Sequence, residues 1–326
     1  MAAGAITLGL RQVGEPGPAL ALLIIAVVSY AEVVGGELTA LLGAPRGYWS
    51  ALEPWRARLG VFAFSAATTV LAELAAEAGW GGVSLPLTVI GAVTAVLWGA
   101  GVWVRRRRDG WLEEGGALWL LGPVSGLAAS SALAALAGHG VVWSRFLAVL
   151  QLALLGVGLL AYLMLAAGLL WRLRLRPPWG TLGPSYWIVA GAPALAAISC
   201  SLAATAARGV WPEVVPPLTT GGAALLGLAG ALAPLPATLT FQRLRVRRQL
   251  AGQPPEYWSG VFPLAIMSLA CLQVGADRGW LALIARLALG LAIAALGADL
   301  ARAVLSRLLP SGPQPSGQQA RSDRTQ

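Results

Sequence analysis

Charge is scarce in this chain of 326 residues, and some ionisable residue types are all but missing. Only 11% of the residues are charged, against about 25% in a soluble domain. Hydrophobic residues make up 57% and mean hydropathy is +0.71. A soluble globule is thereby excluded, and a polytopic membrane protein is expected. Lysine is absent, so all 23 basic residues are arginine, which we read as compositional bias rather than chemistry. Histidine occurs once, as His139 between two glycines. With no His-Glu-x-x-His run, paired aspartates or clustered ligands, the sequence offers no catalytic constellation and no metal site. An enzyme is not expected, nor a cofactor. Cys200 and Cys271 both fall in apolar runs and read as small buried hydrophobes rather than a disulfide. No positive region precedes the first apolar stretch, so no cleavable signal is evident.

What is present is a series of apolar runs, measured against the roughly 20 residues a membrane span needs. They lie near 1–14, 17–42, 58–78, 84–104, 114–138, 143–171, 181–207, 214–242, 255–275 and 279–308. Arginine falls at alternate ends. Arg46, Arg56 and Arg58 follow the second run, Arg105 to Arg108 the fourth, and Arg172, Arg174 and Arg176 the sixth. Arg243, Arg245, Arg247 and Arg248 follow the eighth, and Arg302 and Arg307 close the tenth. The opposite ends hold only Arg11, Arg145, Arg208, Arg278 and Arg286, the last some way into its run and free to snorkel. The positive-inside rule makes the rich set cytoplasmic, with both termini on that side. The net charge of +9 then reflects arginine retained inside the cell, and no nucleic-acid partner is expected. Five helical hairpins follow, in one domain over 1–308, with a disordered Pro/Ser/Gly/Gln tail over 309–326.

A short pattern occurs twice. Pro184-Ser185-Tyr186-Trp187 and Pro255-Glu256-Tyr257-Trp258 are 71 residues apart, and each opens an apolar run with a further proline, Pro193 or Pro263. Proline removes a helical donor, so in lipid the freed carbonyl needs another partner. The Tyr-Trp pair fits an interfacial anchor, rings in the apolar phase and polar tips wet.

The odd-numbered runs carry the small and hydroxylic residues. The first has Gly4 and Thr7, the third Ser65, Thr68 and Thr69, and the fifth Gly122, Pro123 and Ser125. The seventh has Gly191, Pro193 and Ser199, and the ninth Phe262, Pro263 and Ser268. An inner ring of odd helices around a hydroxyl-lined pore is the expectation; the alternative is that small residues only let helices pack closely. No ionisable side chain stands at mid-membrane in the odd runs: Glu73 and Glu77 lie toward the outer end of the third, and Glu113 and Glu114 at the inner start of the fifth. That favours passive conduction over a carrier with a carboxylate at depth. Cytoplasmic arginines would concentrate anions at the inner mouth or simply hold lipid headgroups.

Tyr257-Trp258-Ser259-Gly260-Val261-Phe262-Pro263-Leu264-Ala265 resembles the ninth helix of the tellurite-resistance/dicarboxylate transporter family, which includes malate permeases and plant slow anion channels. Pro184 to Ala192 is similar to its seventh helix, Met1 to Leu8 to the middle of its first, and Leu59 to Phe64 with Thr68-Thr69 to its third. The resemblance implies an all-α fold of ten transmembrane helices, as five hairpins with pseudo-fivefold symmetry around a central pore. It further implies a homotrimer in the cell membrane, with a small anion, either a C4-dicarboxylate or an inorganic ion, as substrate. In channel members a phenylalanine just before the ninth-helix proline plugs the pore; here that position is Phe262, where a ring can close a path by steric block and dewetting. Two departures bear on the substrate. Ala67-Thr68-Thr69 stands where relatives show Gly-Thr-Asn, and Pro123-Val124-Ser125 where they carry a more polar pair. A proton-coupled dicarboxylate carrier and a transport-inactive structural or sensory protein are the alternatives.

The first run, at 14 residues, reaches only about 21 Å against a hydrocarbon core of roughly 30 Å. We therefore expect Met1 to be a misassigned start or a truncation. An in-frame start upstream in the gene is the expected finding; a mature N-terminus mapped to Met1 would exclude it.

Overall fold

The computed structural model describes residues 1–52, 55–105, 116–138, 144–175, 186–238, 258–275 and 278–308. Pro184, Pro255, Tyr257, His139, Glu113, Glu114, Arg106 to Arg108, Arg176, Arg243 to Arg248 and the tail 309–326 lie outside these residues. Every described element is helical. We label the main helices α1 (Ala2–Gln12), α2 (Pro16–Gly43), α3 (Trp55–Glu77), α4 (Gly81–Arg105), α5 (Leu121–Gly138), α6 (Ser144–Leu175), α7 (Trp187–Ala207), α8 (Val215–Leu232), α9 (Trp258–Val274) and α10 (Gly279–Leu308). A short helix, Pro45–Ala51, follows α2, and a 3₁₀ turn, Gly116–Leu120, leads into α5.

Eight helical segments are long and apolar enough to cross a membrane. The two that fall short are α1, with 11 residues, and α9, with 17. Each nevertheless lies within an expected run. Helix ends follow local chemistry. Gly14 (φ 84°) and Gly79 (φ 77°) adopt the left-handed conformation just past α1 and α3, where a side chain would be strained. Each sits in the same pair of bonds: Gly14 N–H donates to Arg11 O and Glu15 N–H to Leu10 O, as Gly79 N–H does to Ala76 O and Trp80 N–H to Ala75 O. Both hairpins thus turn by one device, a glycine stop that satisfies the last carbonyls.

Burial divides the helices into two sets. Two thirds or more of α3, α5 and α7 is buried, against a third or less of α2, α4, α6, α8 and α10. The exposed faces of α2, α4, α6 and α10 are rows of large apolar side chains, such as Leu20, Ile24, Leu97, Val157, Leu160, Leu283 and Leu287, whereas α8 exposes small residues such as Ala223, Ala224 and Gly227. The exposed apolar shell is what a lipid-facing surface requires. Within it α1 packs on α3, α3 on α5, α5 on α7, α7 on α9, and α9 back on α1. The five odd helices therefore form a closed ring, and each also packs against the even helix that follows it.

Neutral hydrogen bonds tie the layers together. Ser65 donates to Gly91 O (2.6 Å) and Ser84 to Ala72 O (2.7 Å), joining α3 and α4 in both directions. Ser268 donates to Ala285 O (2.8 Å) between α9 and α10. Pro193 lies inside α7, so it cannot donate to the carbonyl four residues back, Val189. Tyr162 of α6 supplies the missing donor, its hydroxyl 2.8 Å from Val189 O. The expected partner for the freed carbonyl is therefore present.

Tyr186 departs from its expected wet position. It is buried in the main core together with Trp119 and Leu120, at the start of α7. Trp187 packs toward α9, where a methyl group on Gly260 would meet its Cδ1 at 3.4 Å.

Tyr162→Phe should leave Val189 O without a donor and lower stability by about 1 kcal/mol. Thermal unfolding in detergent checks this, and an unchanged midpoint would separate the hydroxyl from the proline.

Candidate functional site on the inner face of the helix ring

The inner helices are built for close approach. At Gly191 an added methyl group would lie 2.9 Å from Pro263 Cβ, so the two proline-bearing helices α7 and α9 touch through a glycine. At Gly4 it would lie 2.9 Å from Val70 Cγ1 on α3, and at Gly122 3.6 Å from Phe62 Cζ. Pro123, Pro193 and Pro263 are all buried. Phe262 is 5% exposed and Phe62 4%.

All the hydroxyls expected at the pore are buried, and each has a partner. Thr7 donates to Ala3 O (2.8 Å), Thr69 contacts Ser65 O (3.2 Å) and Ala66 O (3.0 Å), and Ser125 donates to Gly122 O (2.7 Å), all within their own helices. Thr68 donates to Phe64 O (2.9 Å) and meets the Tyr30 hydroxyl of α2 at 2.9 Å, while Tyr30 stacks on Phe64. Ser65 and Ser268 turn outward to α4 and α10, as described. Ser199 lies 3.0 Å from both Leu127 O and the Ser131 hydroxyl on α5. These protons serve helix back-bonding and helix seams. An ion in the ring recruits one only by displacing such a bond.

The sequence reading missed a polar node. Gln151 of α6 is 2% exposed and donates to the Ser130 hydroxyl (3.1 Å), while Ser130 donates back to Gln151 O (3.1 Å). With Ser131 and Ser199 it fastens α5, α6 and α7 together. A lone glutamine in an otherwise apolar helix was its only signal.

Two further groups stand apart. Among the described residues, the buried side-chain polar atoms without a hydrogen-bond partner are Glu73 Oε1 and Gln273 Oε1. Glu73 is 3% exposed. On α3, Phe62 faces α5, while Val70 and Leu74 face α1. At about 100° per residue, Glu73 lies about 20° from Phe62 on the side toward Val70. It therefore looks into the ring between α5 and α1. On α9, Ser268 marks the face against α10, and Phe262 and Gln273 both stand more than about 100° away from it, on faces turned from α10. Each polar residue follows its phenylalanine by 11 positions. That is three turns, or about 16 Å.

Residues 1–305 match the family described as SLAC1, voltage-dependent anion channel. The chain belongs to that family. Its relatives include tellurite-resistance proteins and malate permeases, and its members are anion channels and transporters. The resemblance on helices 3, 7 and 9 thus extends along nearly the whole chain, and this SLAC1-family protein is a membrane protein of the anion-transport class. A comparison with curated proteins finds no match.

Gly191→Val should force α7 and α9 apart at Pro263, an overpacking of about 1–3 kcal/mol. Gly60→Ala, with nothing within 4 Å, serves as the control. A lower melting temperature for the first variant alone is expected; equal behaviour would mean the seam accommodates the added volume.

Proposed function

We propose that this SLAC1-family protein conducts small anions, a C4-dicarboxylate or an inorganic ion, passively through the centre of the ring formed by α1, α3, α5, α7 and α9. The observation that carries the reading is the closed circuit of buried helices inside an apolar shell, in a chain of an anion-channel family. In this reading ten helices cross the membrane as five hairpins with pseudo-fivefold symmetry, and residues 1–308 form one transmembrane domain with 309–326 as its tail. The repeated glycine stop after α1 and α3 and the alternating arginines support that unit. The alternating arginines support a reading with both termini cytoplasmic and the protein in the plasma membrane. A homotrimer embedded in lipid is the assembly the family implies.

Phe262 is the gate. Its ring is buried, and the next residue makes the Pro263–Gly191 contact that fixes the helix against α7. A phenyl group in a narrow apolar passage blocks ions by size and by excluding water. Gly4, Gly122 and Gly191 set the width by letting helices approach, with Pro123 and Pro193 bending them. Thr7, Ser65, Thr68, Thr69, Ser125, Ser199 and Ser268 line or brace the path through the bonds given above. No metal or cofactor takes part in this scheme.

Purified protein in liposomes tests the proposal. Currents or flux of chloride, nitrate or malate are expected, and Phe262→Ala should raise them about tenfold or more. A tenfold change corresponds to about 1.4 kcal/mol of barrier. Unchanged flux in a well-folded variant would remove Phe262 from the gate. Silence across all three anions in protein and variant alike would overturn the transport reading.

A further inference from the structure

We propose that Glu73 sets ion selectivity at the outer end of the ring: with its carboxyl neutral the path passes anions, and with it ionised the path rejects them. The inference rests on the transport reading above and adds a residue and a control to it. Glu73 is buried, leaves Oε1 without a partner among the described residues, and looks into the ring between α5 and α1. Gln273, the second such group, stands three turns beyond Phe262 as Glu73 stands three turns beyond Phe62. The ring thus carries aromatic groups nearer its arginine-rich end and polar groups nearer the other.

The charges around Glu73 are few. Glu77 lies one turn further along α3 and pairs with Arg11 of α1 at 4.0 Å. That pairing commits Arg11 to Glu77, and the other cation of α1 among the described residues is the buried Met1 amino group at the opposite end of that helix. From α5 no ionisable side chain projects over 121–138, and α4 carries only Arg105, at its opposite end. On α2, Tyr30 is bonded to Thr68, more than one turn below Glu73. An ionised carboxylate here would repel an anion across a low-dielectric gap, and acidic side chains in narrow paths select cations. The neutral acid has no such field, and its O–H is a donor for a passing anion. The amide of Gln273 offers the same kind of donor without a charge.

The full-length protein in liposomes decides the matter, with chloride as the probe and the outer pH varied. Wild-type chloride flux should fall as the outer solution is made alkaline, by up to about tenfold per pH unit above the midpoint for one titrating group. Glu73→Gln should carry chloride at or above the wild-type maximum with no pH dependence, while Glu213→Gln, at an exposed carboxylate just before α8, keeps the wild-type profile. The reversal potential of the wild type in a salt gradient should also move away from anion selectivity as pH rises, and this reading needs no variant. A pH-independent wild type, or a Glu73→Gln profile identical to wild type, overturns the proposal while leaving anion transport standing. No chloride, nitrate or malate flux from either protein at any pH overturns the transport reading and Glu73's role with it.

Discussion

Backbone and side-chain polar groups at membrane depth have no water to turn to, and the architecture follows from that constraint. Helices satisfy their own backbones, but prolines and hydroxyls leave groups over. Val189 O, released by Pro193, is taken by Tyr162. Ser65, Ser84, Ser130, Ser199 and Ser268 each donate to a carbonyl on another helix. Individually such bonds contribute about 0.6 kcal/mol; together they fix which face of each inner helix meets which neighbour. Packing through glycine completes the arrangement, at Gly191 against Pro263 and at Gly4 against Val70.

Much of the fold was legible in the sequence because lipid imposes length. Each main helix among the described residues falls within one of the apolar runs, eight of them long and apolar enough to span, and α3, α5 and α7 were separable from their neighbours by their small and hydroxylic residues. The facing of those residues was not legible. A helix that is apolar all round has no polar stripe to orient it, so the bonds of Ser65 to α4 and of Ser268 to α10 could not be read from the runs. The Tyr162–Val189 bond joins residues on separate helices, a pairing that no local pattern encodes. Tyr186 looked interfacial because aromatic residues gather at that boundary, yet it is buried.

The site was legible in part. Gly191 and Pro263, both singled out in the sequence, meet across the seam between α7 and α9, and Phe262 immediately precedes that proline. Glu73 was visible as a residue near the end of a helix but not as an isolated buried group. Its isolation depends on Arg11 engaging Glu77 instead, which a list of charges cannot reveal.

The neutrality of the interhelical bonds has an electrical consequence. A membrane voltage does work only on charge that moves through it, about 2.3 kcal/mol per elementary charge for 100 mV. Hydroxyl-to-carbonyl bonds present no net charge, and among the described residues no helix carries a row of arginines through the apolar layer. The scaffold is therefore nearly blind to the field. Under the proposed conduction, voltage acts on the ionisable groups of the described helices, Glu32, Glu73 and Arg286 among them, and on an ion in the ring, which is then the principal mobile charge.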